Sequence, residues 1–511
     1  MLQGWSTRRE VGTVVLVAAL ALLFRLGGVP LLDPDEPVYA QTAVEMLRTG
    51  DFVSPRIYGD FWYDKPPLYY WLTAASIAAL GATETAARLP SALFGIAGAL
   101  GVYFAGRGML GRRAALLAAL VLATSLGYVY LGKAAVTDMT LTFFCSGALF
   151  AYYYKRYNWM YVSMGLAALT KGPVGIVLPG AIIALHLLLC GRLREIARLR
   201  LLRGALILAL VAGPWYLAMY ALHGAAFVDT FLGFHNVTRF LQPEHASGAK
   251  LYYYVPVLLL GFFPWTPFLL QALREAARQR KSAEGEALLF CAVWAGAVFA
   301  FFSASQTKLV SYILPLYPAL ALLVGYYLDR RTKVRFTGGM VGVSLLSGVI
   351  VTLLAALAER RLGYLPEGVW LLCGVLTAMT VAAALANYRR RSLQAALCLV
   401  AGMLCFVAVL TQSVLPVAAH FVSVKEPAAV FAAAYRGEAP VYVEKFYRPG
   451  FCFYTGVPSE VADGRLAALL HAPGRAYFLV KEGNYEALPK EEREKLTVLR
   501  RQAGILLAYK G

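Results

Sequence analysis

Apolar blocks of about 17 to 23 residues recur along most of this 511-residue chain, and that is the length an α-helix needs to cross about 30 Å of hydrocarbon. A chain built this way folds as a polytopic membrane protein, because only a helix satisfies its own backbone polar groups in lipid. Composition agrees: 59% of residues are apolar and 15% charged, against about 45–50% and about 25% in soluble domains. The 48 Lys+Arg against 29 Asp+Glu, net +19, would suggest nucleic-acid binding in a soluble protein. Here the basic residues sit in short loops between apolar blocks, which is a topology signal, so nucleic acid is excluded as a partner. Six of the seven cysteines lie inside apolar blocks and only Cys452 lies outside one, which leaves no disulfide framework and no zinc-type spacing.

The blocks define 13 crossings, at about 11–31, 88–106, 114–132, 137–154, 159–171, 174–190, 204–222, 252–272, 287–303, 311–328, 337–357, 369–387 and 394–417. With the N-terminus inside, alternate connections carry the arginine and lysine clusters: Arg107/Arg112/Arg113, Lys155/Arg156, Arg192 to Arg203, Arg274 to Lys281, Arg330 to Arg335 and Arg389/Arg390/Arg391. The opposite connections hold scattered cations such as Lys133, Lys308 and Arg360/Arg361. This asymmetry places residues 33–85 and 223–251 on the outer side of the membrane. Pro67 to Leu80 is apolar but too short to span, and reads as an interfacial or re-entrant helix. Lys171-Gly172-Pro173 interrupts two short apolar runs and predicts a broken hairpin. The first block is followed by Asp33-Pro34-Asp35-Glu36-Pro37 rather than a small-residue cleavage site, and reads as an uncleaved span.

Residues 420–511 change character. Val441 to Val443, Phe451 to Tyr454, Ala476 to Val480 and Ile505 to Tyr509 are short β-like runs, while Pro427 to Arg436 and Glu460 to His471 read as helical. The expected architecture is a mainly α transmembrane domain over 1–419 with outer juxtamembrane helices, followed by a small α/β periplasmic domain over 420–511.

The chemistry concentrates in the first outer loop. From Val38, the positions Tyr39, Thr42, Ala43, Met46 and Leu47 recur at helical spacing and Thr49-Gly50 ends the run, describing an amphipathic helix on the membrane surface. Asp35 and Glu36 stand at its N-terminus, where carboxylates complement the backbone dipole; taken alone they could be no more than a charged cap. Phe61-Trp62-Tyr63-Asp64-Lys65-Pro66-Pro67 follows. An interfacial aromatic belt explains the rings, but not a lysine held between an acid and two prolines. An ammonium fixed at headgroup depth suits a phosphate or diphosphate.

An acid pair after the first span, a tyrosine four residues on, the box Asp64-Lys65-Pro66-Pro67-Leu68-Tyr69-Tyr70-Trp71 and Thr137-Asp138 at the outer start of a later span together resemble the bacterial lipid A aminoarabinose transferases. Those are relatives of the protein O-mannosyltransferases within the GT-C class of integral-membrane glycosyltransferases. The likeness runs over about residues 8 to 330 and is most specific in the first loop. It implies Asp35 at the reacting centre with Tyr39 beside it, Asp64-Lys65 as the acid–lysine pair whose lysine holds the donor phosphate, and Asp138 as the second acid. Asp138 with Thr137 would equally open a helix as a cap. His235 and Arg239 resemble the family's basic pair in the large outer loop, and Lys308 to Pro315 its lysine–tyrosine segment, with Lys308 and Tyr312 lining the phosphate–lipid site. A histidine in such a loop is also an ordinary solvated residue, and His245 discriminates little. Pro37-Val38 and Trp62 depart from the family pattern on the sugar side, which leaves the sugar open.

An outer-face site of acids, a fixed lysine and an arginine implies a sugar donor already flipped across the membrane on a polyprenyl phosphate, here undecaprenyl phosphate. The phosphate leaves as an anion stabilised by Lys65, Arg239 and Lys308, and Asp35 takes the proton of an attacking hydroxyl or stabilises an oxocarbenium-like sugar. One displacement inverts the anomeric centre. Glu36, Tyr39, Trp62, Asp64 and His235 are assigned to the sugar's vicinity. The resemblance also allows a divalent metal, with Asp64 and His235 as candidates. The acceptor it implies is lipid A or another envelope molecule, and the chain is expected to act as a monomer. The alternatives are a protein O-mannosyltransferase-like enzyme acting on Ser or Thr, a polytopic lipid or solute transporter, and a scaffold that binds an envelope partner.

Overall fold

The computed structural model describes residues 6–238, 250–331, 336–437 and 439–511, with the side chains of 235–237 outside the described set. The described chain is mainly helical and falls into two compact units, 1–24 with 63–68 and 91–410, and 25–62 with 69–90 and 411–511. Its first eleven helices are α1 (Thr7–Leu23), α2 (Asp35–Thr49), α3 (Leu68–Leu80), α4 (Glu84–Leu110), α5 (Arg112–Ala123), α6 (Leu126–Gly132), α7 (Asp138–Tyr153), α8 (Tyr157–Lys171), α9 (Val174–Leu189), α10 (Leu201–Val211) and α11 (Gly213–Phe227).

Among the described residues seven helices are long and apolar enough to cross a membrane, or nine if each of two bent pairs is one span. Six of the seven reproduce expected blocks closely: Glu84–Leu110, Gly285–Ala304, Val310–Arg330, Thr337–Leu362, Glu367–Tyr388 and Ser392–Ala419. The block at 114–132 is instead α5 and α6 meeting at 62°, and that at 252–272 is two pieces bent by 108° around residues 262–265. Hydropathy averages over such bends, because it registers apolarity and not direction.

Within the first unit, α8 and α9 form the expected broken hairpin. Gly172 ends α8 with φ +87°, its N–H donating to Ala168 O at 2.8 Å. Gly175 lies so close to the backbone of Ala167 and Ala168 that a Cβ there would collide, so the two helices cross at glycine contact.

The second unit holds α2, α3 and the C-terminal α/β fold. α2 ends as its sequence predicts, with Gly50 at φ +70° donating to Met46 O. A short hairpin pairs β1 (Arg56–Ile57) with β2 (Asp60–Phe61). The C-terminal sheet runs β4-β3-β5-β7-β6, from β3 (Val441–Val443), β4 (Glu460–Val461), β5 (Ala476–Lys481), β6 (Leu496–Gln502) and β7 (Ile505–Lys510). β3 is parallel to β4 and β5, and β7 is antiparallel to β5 and β6.

Both faces of this sheet are covered. Tyr477, Leu479, Ile505 and Leu507 pack on one side with Phe431 and Phe451, while Phe478, Val480, Leu506 and Ala508 pack on the other with Leu469 and Leu470. That two-sided burial is why β5 and β7 read as unbroken apolar runs. The expected strand at Phe451 to Tyr454 is instead the helix Arg448–Thr455, opened by Pro449 and closed by Gly456 at φ +67°. Four apolar residues are too few for periodicity to separate helix from strand. Glu460 to His471 begins as a strand and becomes helical only from Leu466.

Candidate active site

The predicted site residues divide between the two units, and each set is built within its own. In the first unit, Lys65 lies between a carboxylate and buried prolines, with Nζ 2.8 Å from Asp64 Oδ1 and donating to Asp64 O at 3.2 Å. Pro66 and Pro67 are buried, so the turn that presents the ammonium is fixed by rings with no conformational freedom at φ.

Asp138 opens α7 and is 5% exposed. Its carboxylate is not spent as a helix cap. Lys171, the last residue of α8, donates to Asp138 Oδ1 at 2.6 Å, and its ammonium lies 4.6 Å from the centre of the Tyr312 ring. The charge of Asp64 also acts on Lys171, so the first-loop acid, Asp138, Lys171 and Tyr312 form one electrostatic cluster. Lys308 is 6% exposed and donates to Ser305 O at 2.5 Å. The adjacent Leu309 O accepts from the buried Tyr254 hydroxyl at 3.2 Å. Tyr63 packs against His223 and Phe227, with ring centroids 5.3 and 5.8 Å apart.

In the second unit, α2 separates its two acids. Asp35 is exposed in the first turn, whereas Glu36 is buried. Arg88 Nε and Nη2 donate to the two Glu36 oxygens at 2.8 and 2.6 Å, and Leu32 N donates to Glu36 Oε2 at 2.9 Å. The remaining Arg88 donors reach the carbonyls of Leu26, Val29 and Pro30 at 3.1, 2.6 and 2.8 Å. One guanidinium therefore ties the segment entering α2 to the start of α4. Tyr39 stands one turn along α2 from Asp35, its ring 5.5 Å from Tyr69 and 5.9 Å from Tyr70. Trp62 is half-buried, its N–H donating to Pro55 O at 2.8 Å through the backbone.

Asp33, two residues before Asp35, is buried. Its oxygens accept from Val424 N at 3.1 Å and Gly450 N at 3.2 Å, and a Cβ at Gly450 would strike this carboxylate. Burial pushes the Asp33 carboxyl well above the usual carboxylate range, against the two backbone N–H groups that favour its ionised form. Tyr454 accepts from Leu31 N at 2.7 Å and donates to Glu84 at 3.2 Å. Glu84 is also paired with Lys425 at 2.5 Å. The C-terminal α/β fold thus holds the chain on both sides of the acid pair.

Arg239 and His245 lie outside the described residues, as does the side chain of His235. Among the described residues no group of three His, Cys, Asp or Glu side chains could hold a metal ion, and Asp64 is engaged by Lys65.

Three residues here were not singled out in the sequence: Lys171, Arg88 and Asp33. The signal for Lys171 was present, since a lone lysine closing an apolar helix inside a membrane is a functional candidate by default. Its partner was not legible, being 33 residues away in the chain.

Residues 64–234 match the family model described as dolichyl-phosphate-mannose-protein mannosyltransferase. An undecaprenyl phosphate-alpha-4-amino-4-deoxy-L-arabinose arabinosyl transferase of Pectobacterium carotovorum is 31% identical over 388 residues, covering 71% of this chain and 68% of that protein. The crystal structure of ArnT from Cupriavidus metallidurans bound to undecaprenyl phosphate superposes with TM-score 0.84 at 23% identity, over 99% of this chain and 98% of that one. The archaeal oligosaccharyltransferase AglB from Archaeoglobus fulgidus shares the fold more distantly, at TM-score 0.55 and 12% identity, over 97% of this chain and 73% of that one. Fold and site together define a multi-pass membrane glycosyltransferase of the GT-C class, which removes the transporter and scaffold alternatives. Within that class, the chain belongs to the family that contains the undecaprenyl phosphate-alpha-4-amino-4-deoxy-L-arabinose arabinosyl transferases.

Proposed function

We propose that this protein is an inverting glycosyltransferase that moves an aminoarabinose-like sugar from undecaprenyl phosphate to lipid A on the periplasmic face of the bacterial inner membrane. The observation that carries this reading is the 31% identity over 388 residues to a transferase of that name. Lys65 beside Asp64, Lys171 beside Asp138 and the buried Lys308 support it as cations for an anionic leaving group. The proposed topology has 13 crossings, with 33–85, 223–251 and 420–511 outside, and rests on the six basic loops that alternate with them.

Lys65 and Lys308, with Arg239 from the second outer loop, neutralise the phosphate as the glycosidic bond breaks. Such a leaving group is already anionic and needs no proton, so fixed positive charge does most of the work. Lys171 donates to Asp138 Oδ1 at 2.6 Å and orients that carboxylate. Asp35, exposed at the N-terminus of α2, faces the acceptor or the developing cationic sugar. A lipid A phosphate needs no general base, because its oxygen is ionised at neutral pH. A protein hydroxyl does need one, and the mannosyltransferase match over 64–234 keeps Ser or Thr as the second acceptor class.

The test is transfer by the purified protein from a radiolabelled undecaprenyl-phosphate sugar, with lipid A, a Ser/Thr-rich peptide and a lipid extract offered in parallel. Label in lipid A supports the proposal. Label in the peptide alone makes this an O-glycosyltransferase, and no transfer to any acceptor from several such donors overturns the reading.

A further inference from the structure

Between α8, α9 and α10 lies a cavity of about 360 Å³ whose lining is apolar apart from one tyrosine hydroxyl. Met160, Met164, Ile183, Leu187, Leu199 and Leu208 form most of its wall. The hydroxyl belongs to Tyr161 and is already used, donating to Leu199 O at 3.0 Å. Water therefore has no partners here, while an unfilled apolar space of this size forfeits the contacts of every atom around it. The volume falls within the about 300–1,000 Å³ of small-molecule sites.

The cavity is a shaped feature and not loose packing. Tyr161 lies flat against Gly204, where a Cβ would collide with its ring, and Gly165 meets Val211 in the same way. By contrast, nothing lies within 4 Å of a Cβ at Gly180, which faces into the space. Ala184 and Ala205, also in the lining, are exposed, so the cavity opens sideways between α9 and α10.

At this end the chain reads Gly191 to Gly204 with five arginines and one glutamate. Arg192 and Arg198 pair with Glu195, and Arg192 also with Glu286. Arg194, Arg200 and Arg203 are exposed and have no ion pair among the described residues. Arg200 lies between two lining residues, Leu199 and Leu201, and Arg203 is two positions before Ala205. Leu193, Leu201 and Leu202 are 45%, 56% and 91% exposed, a pattern of apolar and basic side chains that places the segment at the bilayer surface.

We propose that this cavity is a phospholipid site: it takes one acyl chain of an anionic phospholipid from the leaflet at the arginine-rich end, with the headgroup phosphate held by Arg200 and Arg203. Charge selects the occupant. Arginine binds phosphate with a planar fork, and clusters of basic residues beside membrane helices favour anionic lipid. The site is independent of the catalytic residues and does not rest on the sugar or acceptor assigned above.

The experiment uses the full-length protein in detergent with a phosphatidylglycerol that carries a diazirine on its acyl chain. After photolysis, labelled peptides are mapped by mass spectrometry, with unlabelled phosphatidylglycerol, phosphatidylcholine or undecaprenyl phosphate as competitor. Label is expected in 157–208 and is displaced by phosphatidylglycerol, whereas phosphatidylcholine competes more weakly by about fivefold for each arginine engaged. Gly180→Leu fills the cavity from within and should remove most of the label, and Ala184→Leu should narrow the mouth and lower it. Both should keep the wild-type elution profile. Arg200→Gln with Arg203→Gln should abolish the preference for the anionic lipid. Equal competition by phosphatidylcholine, full label in a folded Gly180→Leu protein, or displacement by undecaprenyl phosphate alone would each overturn the proposal, the last by making the cavity a seat for the donor's tail.

Discussion

Removing Arg88 should loosen the second unit more than any other single change at the acid pair. The guanidinium is 4% exposed and makes two hydrogen bonds to Glu36 and three to carbonyls between Leu26 and Pro30. Arg88→Ala leaves the Glu36 carboxylate buried without its counter-charge and strands those carbonyls. Breaking one side of a buried pair costs about 3–5 kcal/mol. At about 2–4 °C per kcal/mol for a body of this size, the melting temperature should fall by roughly 6–20 °C. Glu36→Gln keeps an acceptor in place and should cost less, about 1.5–3 kcal/mol for weakened bonds to a charged group. The double variant Glu36→Leu with Arg88→Met removes both charges and should be less damaged than Arg88→Ala alone, because a buried pair is often replaceable by apolar residues of similar volume. Intrinsic tryptophan fluorescence on heating, in detergent, reads all three. Arg88→Ala melting within about 2 °C of wild type, or losses in the double variant that simply add to within about 0.5 kcal/mol, would refute the argument. The same proteins test Glu36 as a sugar contact: a Glu36→Gln enzyme of wild-type stability without turnover would return it to the substrate.

Four further outcomes are expected. Lys65→Ala should lose turnover by an amount comparable to one oxyanion donor, about 2.7–4 kcal/mol, in lipid-linked sugar transfer assays while still accumulating in the membrane, and Lys65→Arg should be poor as well; near-normal turnover in Lys65→Ala removes it from the site. Asp35→Asn should retain measurable transfer to lipid A but be reduced by about 10²–10⁴-fold on a hydroxyl acceptor, so complete loss on lipid A with donor binding intact would make Asp35 essential for either. Because burial raises the Asp33 carboxyl in the folded protein, its folded form holds a proton more tightly than the unfolded chain. The stability this contributes is full below the unfolded value of about 3.9 and is lost as pH rises through the raised one, so melting temperature should fall with rising pH and Asp33→Asn should flatten that dependence; an unchanged slope contradicts it. Alkaline phosphatase fused after Gly248 or Lys425 should be active and after Arg280 inactive, and activity of the Arg280 fusion reverses the orientation.

The reach of sequence reasoning differs from element to element. The end of α2 at Gly50, the break at Gly172-Pro173 and the apolar runs of β5 and β7 follow from local chemistry: a left-handed glycine, a proline after it, a sheet buried on both faces. The helix Arg448–Thr455 and the bends inside 114–132 and 252–272 were not legible, because short apolar runs carry no period and hydropathy carries no direction. Among site residues, Asp64 beside Lys65 is sequence-local. The environment of Glu36 is not: one helical position separates it from the exposed Asp35, and only the arrival of Arg88 from 52 residues away shows which acid is held in a buried ion pair.

What the sequence determined by itself was the solvent the chain folds in, the alternation of its basic loops, and the acid, lysine and tyrosine types gathered in its first loop. Each depends on composition and spacing over a few turns, which hydrophobic transfer and backbone geometry fix without reference to the rest of the molecule. Tertiary structure alone decided which charges meet: Lys171 with Asp138, Arg88 with Glu36, and Asp33 with the backbone of Val424 and Gly450. Those pairings depend on buried partners 33, 52, 391 and 417 residues apart. A buried charge is tolerated only where a partner is delivered to it, and delivery is a property of the packed helices and not of any segment read alone.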